Sequence, residues 1–357
     1  MKLLNRVILL SLGLLIVVGI TLAALAEIVA PISPQTWKAP PNPGLTGDYA
    51  PNEKMSSLDL IPVPGVGAED IACSIDGTFY SGLHDGTLLR WTKTDAEPEA
   101  FANTGGRPLG IKVDASGDLI VADAIKGLLR VKPTGAVEVL ANAHDGKPLL
   151  FVDDLDIATD GTIWFSDAST RFGYHEYLLD FYEGSMTGRL LSYSPDSGKT
   201  TVHLDGLFFA NGVTLGPDDN YVLIAETGLG RIQRLWLQGD KAGQSDVFIE
   251  HLPGTPDNIN FDGDDTIWIA MPSARKGVDD VAELPFLRKI ISILPHSIQE
   301  SAAVPLSFVV GVDTDGKITS NLQDPGLKYR SITSATPCGN MLWFGNLVSS
   351  AVARLPL

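Results

Sequence analysis

Six stretches of this chain can be laid over one another, and each reads as strand, tight turn, strand, tight turn, strand. They are EDIACSIDGTFYSGLHDGTLLRW from Glu69, LGIKVDASGDLIVADAIKGLLRV from Leu109, DDLDIATDGTIWFSDAS from Asp153, NGVTLGPDDNYVLIAETGLGRIQRL from Asn211, DNINFDGDDTIWIAMPS from Asp257 and a less regular ITSATPCGNMLWFGNLVSSAVARL from Ile332. β-Branched and aromatic residues between Asp/Gly turns mark short antiparallel strands. Starts about 40 to 75 residues apart fit four-stranded propeller blades carrying insertions. A parallel-sheet fold needs a helix between successive strands, and the one long helical pattern runs from Val278 to Leu294. Residues 57–357 are therefore expected to form an all-β, six-bladed propeller. The last copy reaches the C-terminus after three strands, so SLDLIPV at 57–63 is expected to add the fourth and close the ring.

The first strand of each blade lines the channel, so equivalent positions of different blades converge on the axis. The leading residues are Glu69, Leu109, Asp153, Asn211, Asp257 and, in the weak copy, Ile332, followed by Asp70, Gly110, Asp154, Gly212 and Asn258. One Asp or Asn at such a place reads as a turn residue. Four oxygen donors at one phase of a repeat do not. Three carboxylates facing each other repel unless a cation lies between them. Carboxylate and amide oxygens without sulfur or imidazole favour a hard ion, Ca2+ before Mg2+. The six histidines have no zinc-protease spacing; His84 and His175 fall in loops after blade strands, within reach of a channel mouth.

A formal net charge of −17 over 357 residues argues against nucleic acid, whose phosphates call for a basic surface. Lys2 and Arg6 precede an uncharged apolar run from Val7 to Ala26, long enough to span a bilayer as a helix. Residues 1–30 are thus expected to anchor a monomeric propeller outside the cytoplasm. Ala24-Leu25-Ala26 also reads as a cleavage site, which would release a secreted form. Residues 31–56 are Pro-rich and read as an extended tether. Cys73 and Cys338, the only two cysteines, suit either one disulfide or two buried thiols.

RPLGI at 107–111, FVDDLDI at 151–157, GRLLSY at 188–193, FANGVTL at 209–215, VLIAET at 222–227 and LPGTPDNI at 252–259 resemble the strictosidine synthase-like branch of the calcium propellers. That group is related to senescence marker protein/gluconolactonases, paraoxonases and adipocyte plasma membrane-associated protein. The resemblance spans Ser57 to Leu357 and implies a channel calcium held by Glu69, Asp153, Asn211 and Asp257. Asn258 matches a further ligand of the paraoxonase-like pattern. Asp70, Asp154 and the Ile111 carbonyl match a second, structural calcium. Asp153 stands where the family usually has Asn. No acid lies between Tyr329 and Leu357, where strictosidine synthase carries its glutamate, so its amine condensation is not expected.

These readings lead to a calcium-dependent hydrolase of small-molecule lactones or aryl esters, with the ion polarising the carbonyl. Asp257 would act as general base, with Asp153 second in line. AELPFLRKIISILP at 282–295 reads either as an amphipathic lid over the mouth or as a helix packed on the propeller's side. The alternative function is a membrane-tethered propeller that binds a ligand or partner, its calcium purely structural.

Overall fold

The computed structural model describes residues 24–92 and 97–357, with isolated positions between 11 and 21. Most of the Val7–Ala26 run lies outside these residues. Among the described residues no helix is long and apolar enough to cross a membrane.

Six four-stranded antiparallel sheets follow one another around a channel. Their innermost strands are Ile71–Cys73, Pro108–Val113, Val152–Ile157, Ala210–Leu215, Ile259–Phe261 and Ile332–Cys338. The first hairpin of each of several blades turns on an Asp whose carboxylate accepts an N–H two residues on, as in Thr78 to Asp76, Ser116 to Asp114 and Thr162 to Asp160. The glycine in these turns sits near φ +84°, a conformation that L side chains resist. This is why Asp and Gly recur at one phase of the sequence.

The ring closes as expected from residues 57–63. Asp59–Pro62 pairs antiparallel with Ala351–Pro356 and supplies the outer strand of the sixth blade. A disulfide joins Cys73 to Cys338, the ends of the innermost strands of blades one and six. Outer strands and disulfide thus staple the two ends of the blade series at the same seam. Apolar side chains fill the spaces between blades; one such layer packs Leu223, Ile232 and Phe248 of blade four against Ile259, Ile269 and Val310 of blade five.

At the end of the channel where the innermost strands begin, here the upper end, their ladders are irregular. Register shifts lie between Pro108 and Ile111, Val152 and Leu155, Ala210 and Val213, and Ile332 and Ser334. A bulge lets consecutive residues project to the same side. Regular strand alternation would have sent one of each pair, such as Asp153 and Asp154, away from the axis.

Two inserts and the N-terminal segment cover this upper end. Tyr177–Glu183 forms a short helix between the second and third strands of blade three. The helical pattern from Val278 resolves into Lys276–Asp279, Pro285–Ser292 and His296–Glu300, broken where Pro285 and Pro295 lack the N–H that a continuous helix needs. The segment around residues 33–41 is extended, yet it is strapped down by two buried arginines. Arg288 donates to the carbonyls of Gln35, Tyr182, Glu183 and Ala282, and Arg275 to those of Pro40, Pro41 and Leu252. Trp37 stands edge-on to Phe208 with Arg288 over its ring. The Pro285–Ser292 helix packs on the Tyr177–Glu183 helix, so the 282–295 insert backs the cover over the mouth.

Candidate metal centre in the propeller channel

Glu69, Asp153, Asn211, Asp257 and Asn258 are all buried and stand at the upper starts of four innermost strands. Asn258 donates its amide to both Glu69 oxygens, at 3.1 and 3.2 Å, and the Asn211 side chain hydrogen-bonds Asp257. Glycines let the neighbouring strands close in. A Cβ on Gly212 would meet the Asp257 carbonyl oxygen at 2.4 Å, and one on Gly110 would meet the Asp154 carboxylate at 2.3 Å.

The electrostatics of these carboxylates are mutual. Burial, then the charges of Asp257, Asp70 and Asp153, holds the Glu69 carboxyl well above its usual range, while Arg107 pulls it down. Asp153 is raised by burial, Asp257 and Asp154, again against Arg107. Burial pushes Asp257 up to about 7 despite its Asn211 hydrogen bond. Charge of one sign is concentrated here, and a cation relieves it.

The residues fit a hard ion in kind. The side-chain oxygens of Asn211 and Asn258 are buried and accept no hydrogen bond, which is costly for an amide carbonyl unless something else binds it. Among the described residues no three His, Cys, Asp or Glu side chains gather closely enough to hold a metal by themselves. A full ligand sphere therefore depends on the two amides and on the carboxylates drawing inward.

Thr333 takes the place of Ile332. In blade six the register pairs Ala335 with Phe344, equivalent to Ile71 with Ser81 in blade one, so Thr333 and Ser334 match Glu69 and Asp70. Ile332 lies in the apolar core with Met55 and Leu58, while the Thr333 hydroxyl donates to the Glu69 carbonyl at 2.7 Å. Leu109 also brings no oxygen; it packs with Phe151, Phe208 and Phe209 in an apolar cluster above the channel.

Sequence reasoning missed Arg107. Its guanidinium is fully buried, donates to the Gly67 and Pro108 carbonyls, and has no hydrogen-bond partner at Nε or Nη2. Tyr174, Glu69 and Asp153 are its electrostatic neighbours. His84 sits at the rim near Arg107, and partial burial together with that charge lowers its pKa to about 4. His175 is exposed, with its ring against Tyr174. Tyr177, from the covering helix, is held above the usual phenol range by burial first, with Glu300, Tyr174 and Asp257 among the charges that add to it. A surface cleft of about 640 Å³ is lined by Lys147, Thr187 and Arg189 and includes none of the channel carboxylates.

Asp70, Asp154 and Ile111 lie just below. The Ile111 N–H donates to Asp70 at 3.1 Å, and Asp154 accepts the Val213 and Leu155 N–H groups, each at 2.8 Å. Lys112 projects into the same region, with Nζ 2.5 Å from the Asn260 side-chain oxygen. Burial works against its charge, but Asp156, Asp70 and Asp154 outweigh it and raise its pKa.

Fold and channel together define a six-bladed propeller with a carboxylate- and amide-lined upper channel. Residues 153–240 match the strictosidine synthase family, and residues 47–91 match the strictosidine synthase-like N-terminal region. Protein strictosidine synthase-like 6 of Arabidopsis thaliana is 38% identical over 299 residues, covering 81% of this chain and 78% of that protein. Human adipocyte plasma membrane-associated protein is 33% identical over 360 residues, covering 94% and 86%. The chain belongs to the strictosidine synthase-like family. Among solved structures, a Xanthomonas campestris gluconolactonase superposes with a TM-score of 0.63 at 17% identity, covering 92% of this chain and 99% of its own. The calcium-binding protein regucalcin from Agrobacterium tumefaciens gives 0.58 at 16%, covering 82% and 90%. At such identities the likeness speaks for the fold alone.

Proposed function

We propose that this protein is a calcium-dependent hydrolase of lactones or aryl esters. The observation that carries the reading is the pair of buried, unsatisfied Asn211 and Asn258 oxygens beside three mutually repelling carboxylates. Glu69, Asp153, Asn211, Asp257 and Asn258 would hold the ion. A calcium ion bound there supplies a Lewis acid for the substrate carbonyl. Asp257, kept deprotonated by the bound ion, would accept a proton from the attacking water as general base. Asp153 is the alternate base. Arg107 has guanidinium N–H groups to spare for negative charge that develops on the substrate. Tyr174, Tyr177, Phe151 and Phe209 form an aromatic roof suited to an apolar or aromatic leaving group. The gluconolactonase among the superposed structures is in keeping with lactone chemistry.

The propeller is proposed to lie outside the cytoplasm, anchored by Val7–Ala26. Two observations support this placement: the Cys73–Cys338 disulfide, a bond typical of oxidising compartments, and relatives named for plasma-membrane association. Glu27, at the end of the apolar run, pairs with Lys289 of the covering insert at 2.7 Å.

A second reading, a ligand-binding propeller with structural calcium, draws on the closed aromatic roof. A panel of lactones and aryl esters assayed with calcium and with chelator separates the two. Chelator-sensitive turnover supports the hydrolase. Chelator-sensitive melting without turnover of any member supports the binder.

A further inference from the structure

The layer below the candidate ion carries its own cation. One step down the innermost strands from Gly110, Asp154, Gly212, Asn258 and Ser334, alternation brings Lys112, Asp156, Thr214, Asn260 and Thr336 to the channel. They form a connected set. Lys112 Nζ donates to Asn260 Oδ1 at 2.5 Å, Asn260 Nδ2 to Thr336 Oγ1 at 3.3 Å, and Thr336 Oγ1 to Asp70 Oδ1 at 3.2 Å. Asp156 closes the other side, accepting from the Leu215 N–H at 2.8 Å and the Thr214 hydroxyl at 3.2 Å.

The three carboxylates that interact electrostatically with Lys112 are Asp156, Asp70 and Asp154. The last two belong to the set that the family pattern would give to a second calcium. Here each already accepts backbone N–H groups, and the Lys112 ammonium, held on Asn260, interacts electrostatically with both. A divalent ion held by the same carboxylates would meet that like charge within one layer of the channel, which is unfavourable.

We propose that the Lys112 ammonium is the resident cation of this layer, standing in for a second divalent ion, so that Asp70, Asp154 and Ile111 bind no metal in this protein. The residues here do not fit the second calcium that the resemblance implies. The charge at this level is covalently attached and cannot be removed by chelation or dilution. The ion count in the whole channel rests on the calcium reading of the upper layer, but the assignment of Lys112 does not.

The test counts bound calcium by equilibrium dialysis and follows melting in chelator for the full-length wild type, Lys112→Met and Lys112→Arg. The wild type is expected to bind one calcium. Lys112→Met is expected to melt several degrees lower in chelator, to bind one calcium more than the wild type, and to regain its melting temperature as that ion loads. Lys112→Arg should bind no extra ion. Two calcium ions in the wild type would overturn the proposal. So would a Lys112→Met protein with unchanged melting and no additional ion. A wild type binding none and a Lys112→Met binding one would uphold Lys112 while removing the calcium reading of the upper layer. Should Lys112→Met fail to fold, Lys112→Met/Asp154→Asn removes part of the uncompensated charge. Its recovery supports the proposal, and its continued failure shows that Lys112 acts by packing and refutes it.

Discussion

Asn258 holds Glu69 by both carboxylate oxygens, at 3.1 and 3.2 Å, across a sequence separation of 189 residues. The contact ties the fifth blade to the first at the top of the channel. It also turns the Asn258 carbonyl oxygen away from Glu69, where that oxygen has no partner. A bound cation would need that oxygen and a Glu69 oxygen together, so loading and the Asn258–Glu69 contact are coupled.

Asp153→Asn should separate stability from ion affinity. It removes one of the charges that raise Glu69, so the calcium-free protein should gain about 1–2 kcal/mol, seen as a melting temperature higher by roughly 2–6 °C in chelator. Calcium affinity should fall about ten-fold, because a carboxylate ligand becomes a neutral amide. Asn211→Leu should lose calcium binding altogether while keeping the fold. Calorimetric titration and melting curves read both effects.

Stability without metal should decline as pH rises. Burial raises Glu69, Asp153 and Asp154 well above the usual carboxylate range and Asp257 to about 7. A carboxyl whose folded pKa exceeds its unfolded value holds a proton in the native state that the unfolded chain releases. Its contribution is complete below about pH 4 and is lost as pH rises through the folded value. In chelator, the melting temperature should therefore fall between about pH 5 and 8. Saturating calcium should flatten or reverse the trend, since the ion binds the deprotonated set. A calcium-free melting temperature that rises over this interval would contradict the carboxylate cluster.

The fold was legible because the repeat is periodic and its Asp/Gly turns are chemically obligatory. Glu69, Asp153, Asn211 and Asp257 were legible for the same reason, each standing at one phase before an apolar strand. Thr333 was not, because the last copy replaces the Asp/Gly turn with Cys338-Gly339-Asn340 and its bulge shifts the count by one residue. Lys112 escaped notice because a single lysine in a strand ordinarily marks a solvated face. Arg107, Arg275 and Arg288 act on carbonyls distant in sequence, and no local pattern announces such contacts. The Pro-rich segment reads as a tether by composition, but Trp37, Arg275 and Arg288 bind it to the propeller.

Arg288→Met should loosen the cover without unfolding the propeller. It removes donors from four carbonyls in the strap, the Tyr177–Glu183 helix and residue 282, an effect of about 2–4 kcal/mol at most. Limited proteolysis should cut within residues 30–45 and 283–303 several-fold faster, while the core fragment stays intact. Equal cutting rates would show that the strap does not depend on Arg288.

Cys73→Ser/Cys338→Ser should lower stability by about 2–4 kcal/mol, in the range typical of a disulfide closing a long loop. The closed loop spans a separation of 265 residues. Melting with and without reductant should show the loss in the wild type and no further loss in the double variant. An unchanged wild-type melting temperature on full reduction would show that the outer-strand pairing of Asp59–Pro62 closes the ring unaided.

The most direct test of the central claim measures initial rates of lactone and aryl-ester hydrolysis against free calcium, for the wild type and Asp257→Asn. Turnover should saturate with the same midpoint as calcium binding and vanish in chelator. Asp257→Asn should lose at least about 100-fold in kcat, as removal of a general base does, beyond any loss of calcium affinity corrected for by saturation. Hydrolysis that proceeds equally in chelator, or that Asp257→Asn leaves unchanged at saturating calcium, would contradict it.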